Sequence, residues 1–169
     1  MPTFLTFESS EVCELVGIGP FLLNKFVEGK TYGIQPSVRR GKGRGGRRLF
    51  GPDDVFGIAL VWWLFETGLR SGVIQYVLNE ICAPAKGVAS EAAKKLVRRK
   101  IQTVLVLGKP RRMDPRLKMP RHTVHLVTEE KPNVIIGPAA PIRLGIYFGG
   151  LYENLLGKMK SLTGLPEGE

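Results

Sequence analysis

Residues 36–55 read PSVRRGKGRGGRRLFGPDDV, a basic, glycine-rich segment that leads directly into the start of a helix. Pro52 suits the first position of that helix, and Asp53 and Asp54 suit the positive end of its dipole. The central glycines let the backbone approach a partner closely. The segment predicts a basic β-hairpin followed by a helix, which would lay cations along a phosphate backbone. A solvated charged loop without a partner has the same composition. The cations that precede the first acid are Arg39, Arg40, Lys42, Arg44, Arg47 and Arg48.

Two short helices with a glycine turn between them precede the basic segment. Apolar spacing predicts a first helix over 11–16, capped by Ser9 or Ser10, and a second from Pro20 to near Gly29. Two helices joined by a tight turn are typical of a helix-turn-helix, although many helical hairpins share the pattern. After the basic segment, apolar spacing predicts two more helices, over 52–67 and 73–81.

The third predicted helix is apolar on every side. A stripe from Val55 to Leu64 is enough to face a small core, yet aromatic residues lie outside it as well. Because a helix that is apolar all round is buried all round, we expect the C-terminal half or a second copy of the chain to cover it. Packing is the favoured interpretation of the two tryptophans, and a ligand cage is the alternative. The residues that we assign to packing or to a dimer interface are Trp62, Trp63, Phe65, Leu155 and Met159.

The chain changes character at Ala83-Pro84, where we place a domain boundary. Residues 1–83 carry nine Lys and Arg against eight Asp and Glu, whereas residues 84–169 carry sixteen against seven. Apolar patterning beyond the boundary predicts helices and short strands. The helices are expected over 90–99 and 151–162, the strands over 103–107, 123–128 and 134–136, and an extended apolar segment over 141–148.

A second basic segment, residues 109–121, reads KPRRMDPRLKMPR. Its prolines exclude a regular element, so the sequence predicts a cationic loop. Such a loop would suit a second anionic partner: DNA outside the core site, RNA or an acidic protein. A solvated loop is again the alternative.

Together these elements predict an α+β fold. An N-terminal winged helix-turn-helix, mostly helical, is expected over residues 1–83. A small domain of short antiparallel strands and a terminal helix follows over 84–169, for dimerisation or for effector or partner binding. The net charge of +10 favours an anionic partner, nucleic acid before a membrane surface. The longest apolar run, 58–65, is too short to span a bilayer. Two distant cysteines and the lack of a cationic N-terminal leader predict a cytoplasmic protein.

Residues 5–81 resemble the DNA-binding domain of the MerR family. The resemblance lies in SSEVCELVGIGP (9–20), LLNKF (22–26), Pro36 and RRLFGPDDV (47–55). It implies a winged helix-turn-helix that binds double-stranded DNA as a homodimer and regulates transcription. By the resemblance, the second helix reads bases in the major groove and the basic segment grips phosphates. The base readers would be Phe21, Asn24 and Lys25, and the phosphate contacts Arg39, Arg40, Lys42, Arg44, Arg47 and Arg48.

These side chains have chemistry that suits the implied roles. Asn24 can pair with adenine in bidentate fashion, and Lys25 can reach guanine or a phosphate. The alternative is that Phe21 packs in the core and that Lys25 is merely solvated. Arg48 is the strongest phosphate candidate, because it adjoins the helix start and matches a family position.

The chain departs from the MerR pattern at three points. Asn24 stands where the family often has arginine, and the basic segment is longer and richer in glycine. Ala83-Pro84 and Gly87 interrupt the path of the long coiled-coil helix that forms the family's dimer. We therefore keep open a second interpretation, an architectural, excisionase-like or phage DNA-packaging or assembly protein.

An enzyme is not expected. The sequence has no glycine-rich phosphate loop after a strand, no convincing carboxylate pair and no nucleophile–base set. Cys13 and Cys82 have no nearby Cys or His at metal-ligand spacing, so we expect neither a metal nor a cofactor.

Overall fold

The computed structural model describes residues 5–28, 32, 34, 36, 38–40, 47–82, 89–98, 104–108, 112–114, 119–121, 124–127 and 142–164. Its N-terminal elements are β1 (Phe7–Glu8), α1 (Ser9–Val16), α2 (Pro20–Glu28), β2 (Val38–Arg40), β3 (Arg47–Phe50), α3 (Pro52–Glu66) and α4 (Ser71–Cys82). The later elements are α5 (Ala89–Arg98), β4 (Val104–Gly108), β5 (Arg112–Asp114), β6 (Met119–Arg121), β7 (Val124–Val127), β8 (Ile142–Tyr147) and α6 (Phe148–Thr163). Helices and short antiparallel strands together make an α+β fold.

The chain forms two compact units. The first unit contains Met1–Lys95 and Leu155–Glu169, and the second contains Leu96–Asn154. The sequence predicts a single boundary after residue 83. In the structure, residues near both ends of the predicted C-terminal domain belong to the first unit instead. For β2 and for the strands of the second unit, only the backbone is described.

A turn of three residues joins α1 to α2. The backbone N–H groups of Gly17 and Ile18 both donate to the carbonyl of Cys13, at 2.9 and 3.0 Å. Gly17 has a positive φ of 76°, a conformation that glycine adopts without steric cost. The predicted pair of helices with a glycine turn is therefore confirmed.

The first helix starts earlier than its sequence pattern predicts. Ser9 and Ser10 are its first residues, and Glu8 occupies the N-cap position. The Glu8 backbone N–H donates to the Glu11 carboxylate at 2.6 Å. The expectation that a serine caps this helix is wrong, because a glutamate in the first turn already satisfies the free backbone donor.

The strands of the first unit form one antiparallel sheet in the order β1-β3-β2. Phe7 pairs with Phe50 across β1 and β3. On the other side of β3, Val38 pairs with Leu49, Arg39 with Arg48 and Arg40 with Arg47. The predicted basic β-hairpin is confirmed, while its central residues 41–46 lie outside the described residues.

Helix α3 is the centre of the first unit. Every residue from Asp54 to Val61 is buried, and so is Leu64. Helices α1, α2 and α4 and strand β3 all contact it. Trp62, Trp63 and Phe65, near its C-terminal end, keep intermediate exposure. The all-round apolar pattern thus matches all-round burial over most of the helix.

Parts of α5 and α6 complete the first unit. The Ala89 backbone N–H donates to the Tyr32 carbonyl at 2.9 Å, which ties the start of α5 to the segment after α2. Lys94 on α5 lies 3.7 Å from the Asp53 carboxylate on α3. On α6, Leu155 and Met159 are only 3% and 2% exposed. Residues from two separate stretches of the chain therefore share this unit.

The second unit contains an antiparallel sheet in the order β7-β4-β8. Val104 pairs with Val127 on one side and with Tyr147 on the other, and the register shifts between Leu107 and Gly108. Strands predicted over 103–107 and 123–128 and the extended segment over 141–148 are confirmed as β4, β7 and β8. The strand predicted over 134–136 lies outside the described residues.

The second basic segment also contains regular structure. Strands β5 and β6 form a two-stranded hairpin in which Arg112 pairs with Arg121 and Met113 with Pro120. The prediction that prolines exclude any element here is wrong. Among the described residues β5 and β6 pair only with each other, and proline is tolerated in edge strands.

Candidate nucleic-acid interface

Helix α2 exposes one face that carries all three predicted base readers. Phe21 is 79% exposed, and Asn24 and Lys25 are exposed as well. Their spacing of three and four residues places them side by side on a helix. The alternative that Phe21 packs in the core is wrong. These three side chains, hereafter the α2 face, are accessible to a partner.

Aromatic packing on the opposite side sets the rotation of α2. The ring of Phe26 is fully buried. It meets the ring of Tyr32 edge-on at 5.7 Å and the ring of Phe65 at 6.1 Å, measured between ring centroids. Edge-to-face contacts at these distances are favourable. Because Phe26 is anchored to α3 through Phe65, the α2 face is held outward.

Lys25 lies against an aromatic ring. Its Nζ atom is 5.9 Å from the centroid of Phe65, within the range of a cation–π contact. Phe65 also stacks on Trp62, with centroids 5.9 Å apart and planes inclined by 22°. A predicted base reader therefore contacts the aromatic group that we assigned to packing or to a dimer interface.

Arg48 joins the basic hairpin to the α2 face. Its Nη1 atom donates to Oδ1 of Asn24 at 3.0 Å. The two residues are 24 positions apart in the chain. The sequence patterns treat them separately, one as a base reader and one as a phosphate contact, and none of those patterns indicates their pairing. The hydrogen bond connects the α2 face to strand β3.

Arg47, the neighbour of Arg48, forms an ion pair with Glu8. Its Nη1 atom is 3.3 Å from the Glu8 carboxylate, and the two side chains are 78% and 49% exposed. An ion pair this exposed contributes little to stability because water screens it. The Arg47 guanidinium therefore remains open to a second anion.

The hairpin register concentrates positive charge. Arg39 pairs with Arg48, and Arg40 pairs with Arg47. Like charges at directly opposed positions destabilise an antiparallel pair. An anion bound along the hairpin would offset that cost. The other predicted cations, Lys42 and Arg44, lie outside the described residues.

The described residues offer no centre for metal chemistry. No group of three or more His, Cys, Asp or Glu side chains gathers among them in a way that could hold a metal ion. Burial raises the pKa of the Cys13 thiol, which keeps it protonated and poorly nucleophilic. Within the same residues, no helix has both the length and the apolar character needed to cross a membrane.

No protein-family model matches the chain, and no curated protein matches it significantly. We therefore infer function from the residues and their contacts.

Proposed function

We propose that the protein binds double-stranded DNA in a sequence-specific way, as a MerR-like transcription regulator with a winged helix-turn-helix. The α2 face would enter the major groove while the β2–β3 hairpin, as the wing, follows the flanking phosphates. The hydrogen bond from Arg48 to Asn24 carries this proposal, because it links the helix that reads bases to the strand that supplies cations.

Three further features support a DNA partner. The net charge of +10 favours association with a polyanion. The exposed ring of Phe21 on the α2 face could make an apolar contact with the methyl group of a thymine in the major groove. The backbone register of the hairpin places Arg39 opposite Arg48 and Arg40 opposite Arg47, and an anion bound there would offset the repulsion between like charges.

The rest of the proposal concerns assembly. We assign the half-buried Trp62, Trp63 and Phe65 to a homodimer interface. Each α2 of the dimer would then read one half-site of a promoter. The dimer would bend that promoter. We place this activity in the cytoplasm. The basic β5–β6 hairpin would provide a second, sequence-independent contact with an anionic partner.

The test measures affinity for duplex DNA as a function of salt. Arg47→Ala should weaken binding to every duplex and lower the magnitude of the slope of log K against log salt by about 1, because one phosphate contact is lost. Asn24→Ala should instead change the relative affinities for different sequences. Fluorescence anisotropy at several KCl concentrations provides both quantities.

The control removes a cation elsewhere in the first unit. Lys158 is exposed on α6, and Lys158→Ala should leave the slope nearly unchanged. If Lys158→Ala lowers the slope as much as Arg47→Ala, binding follows net charge alone and the proposed interface is wrong. Failure of the unmodified protein to bind any duplex would contradict the whole proposal.

An architectural role, of the excisionase or DNA-packaging type, is the second candidate. The helix that follows α4 is α5, which has only ten residues. The Ala89–Tyr32 hydrogen bond ties the start of α5 to its own unit, whereas a MerR-like dimer helix would extend away. Footprinting separates the two functions. A short palindromic footprint supports the regulator, and long, cooperative protection supports the architectural protein.

A further inference from the structure

The hydrogen bond between Arg48 and Asn24 determines how the asparagine amide is oriented. A guanidinium carries donors and no acceptor, so the amide atom that it contacts must be the carbonyl oxygen. Oδ1 of Asn24 therefore faces Nη1 of Arg48 at 3.0 Å. Nδ2, which carries the two N–H donors of the amide, is not the atom that contacts Arg48.

Both partners of this hydrogen bond stand on well-supported elements. Arg48 lies on β3, the central strand of its sheet, which is paired on both sides. Asn24 lies on α2, whose rotation is set by the buried ring of Phe26. A donor held in this way loses little conformational freedom when it meets a partner.

We propose that Asn24 reads a base whose major-groove edge offers acceptors without a donor, guanine or thymine, and that Arg48 is the positioning residue that sets this choice. The inference rests on the proposed DNA binding. Bidentate pairing with adenine needs the amide oxygen as well as the nitrogen at the base edge. Because Arg48 takes up one lone pair of Oδ1 and fixes where this oxygen lies, the Nδ2 donors are the groups that would meet the base, at N7 and O6 of guanine or O4 of thymine.

The neighbours of Asn24 on the α2 face fit the same edge chemistry. Lys25 is a donor without an acceptor, which suits guanine at an adjacent position. Phe21, 79% exposed, offers an apolar surface to a thymine methyl group. We therefore expect half-sites rich in guanine and thymine on the strand that α2 contacts.

The experiment selects duplexes from a randomised pool with the full-length protein and with two matched variants. Arg48→Met and Arg47→Met each remove one positive charge from β3 and keep an unbranched side chain. Both should flatten the salt dependence to a similar extent. Only Arg48→Met releases the Asn24 oxygen, so only this variant should accept adenine at the Asn24 position. There the preference for guanine or thymine over adenine should fall by roughly ten-fold or more.

A third variant checks the assignment to Asn24. Asn24→Asp keeps an oxygen for Arg48 but removes both donors, so the preference at that position should move toward cytosine or adenine, which present an amino group. Circular dichroism confirms that each variant remains folded.

Two results would overturn the inference. One is selection of adenine by the unmodified protein at the position that responds to Asn24→Asp. The other is an identical base preference for Arg48→Met and Arg47→Met. Either result leaves sequence-specific DNA binding intact. If the unmodified protein selects no sequence at all, the proposed function fails and this inference fails with it.

Discussion

Two phenylalanines on α2 show how much the surroundings of a residue decide its role. Phe26 is fully buried, whereas Phe21 is 79% exposed. Phe26 contacts Tyr32 and Phe65 and so positions the helix. Phe21 has no such burial and is positioned for a partner. The same type of side chain is thus buried in the core at one position and open to solvent at the other.

The two phenylalanines should respond differently to truncation. Phe26→Ala should lower the free energy of unfolding by about 3–5 kcal/mol, because it leaves a cavity among aromatic rings. Phe21→Ala should change it by less than about 0.5 kcal/mol and weaken DNA binding instead. Urea unfolding measures the first effect and anisotropy the second. Equal losses of stability in the two variants would contradict the described rotation of α2.

At the scale of the element, the start of α3 depends on one carboxylate. The Gly51 backbone N–H donates to Oδ2 of Asp54 at 3.0 Å. Asp54 is a buried charged side chain, only 6% exposed. Asp53, one residue earlier, is exposed and lies near Lys94. Two adjacent acids therefore have different roles at the same helix terminus.

Alanine substitutions should separate these roles. Asp54→Ala should destabilise the first unit by about 0.5–2 kcal/mol, because it leaves a helix N-terminal donor without its partner. Asp53→Ala should cost less than about 1 kcal/mol, since the ion pair with Lys94 is partly screened by water. Thermal unfolding of the two variants gives the comparison. A larger loss for Asp53→Ala would show that the ion pair, and not the cap, secures this terminus.

At the scale of the whole molecule, the first unit is discontinuous in sequence. It takes Leu155–Glu169 from the far end of the chain. Leu155 and Met159 are almost completely buried, while Leu162 on the same helix is 39% exposed. Both tryptophans of the chain, Trp62 and Trp63, lie on α3 in this unit. Tryptophan fluorescence therefore reports on the first unit without interference from the second.

Tryptophan fluorescence should detect the loss of stability that substitutions on α6 cause in the first unit. Leu155→Ala should destabilise the first unit by about 2–5 kcal/mol, as expected for a buried leucine. Leu162→Ala should change its stability by less than about 0.5 kcal/mol. Urea unfolding followed at the tryptophan emission measures both. If the two variants unfold at the same urea concentration, the end of α6 does not belong to the core of this unit.

Local patterns predicted local elements well. The glycine turn, the Pro52 helix start and the basic hairpin all depend on neighbouring residues, and the structure confirms them. The serine cap was wrong because the Glu11 carboxylate accepts from the N-cap backbone, and the loop over 109–121 was wrong because β5 and β6 pair there despite the prolines.

The sequence patterns did not predict contacts between residues that are distant in the chain. Asn24 and Arg48 were each expected at the candidate interface, yet nothing in the spacing indicates that they meet. The contact of Lys25 with Phe65 and the grouping of Leu155 with the first unit were missed for the same reason. Hydrophobic periodicity describes one element at a time, whereas these contacts depend on how elements pack together.

The discontinuity of the first unit also affects its synthesis. Helices α1 to α4 leave the ribosome before the insert of residues 96–154 has been translated. At usual rates of elongation, that insert delays the arrival of α6 residues by roughly 3–12 s. During this interval the nascent chain lacks Leu155 and Met159, so the apolar surface that they cover is open to chaperones and proteases.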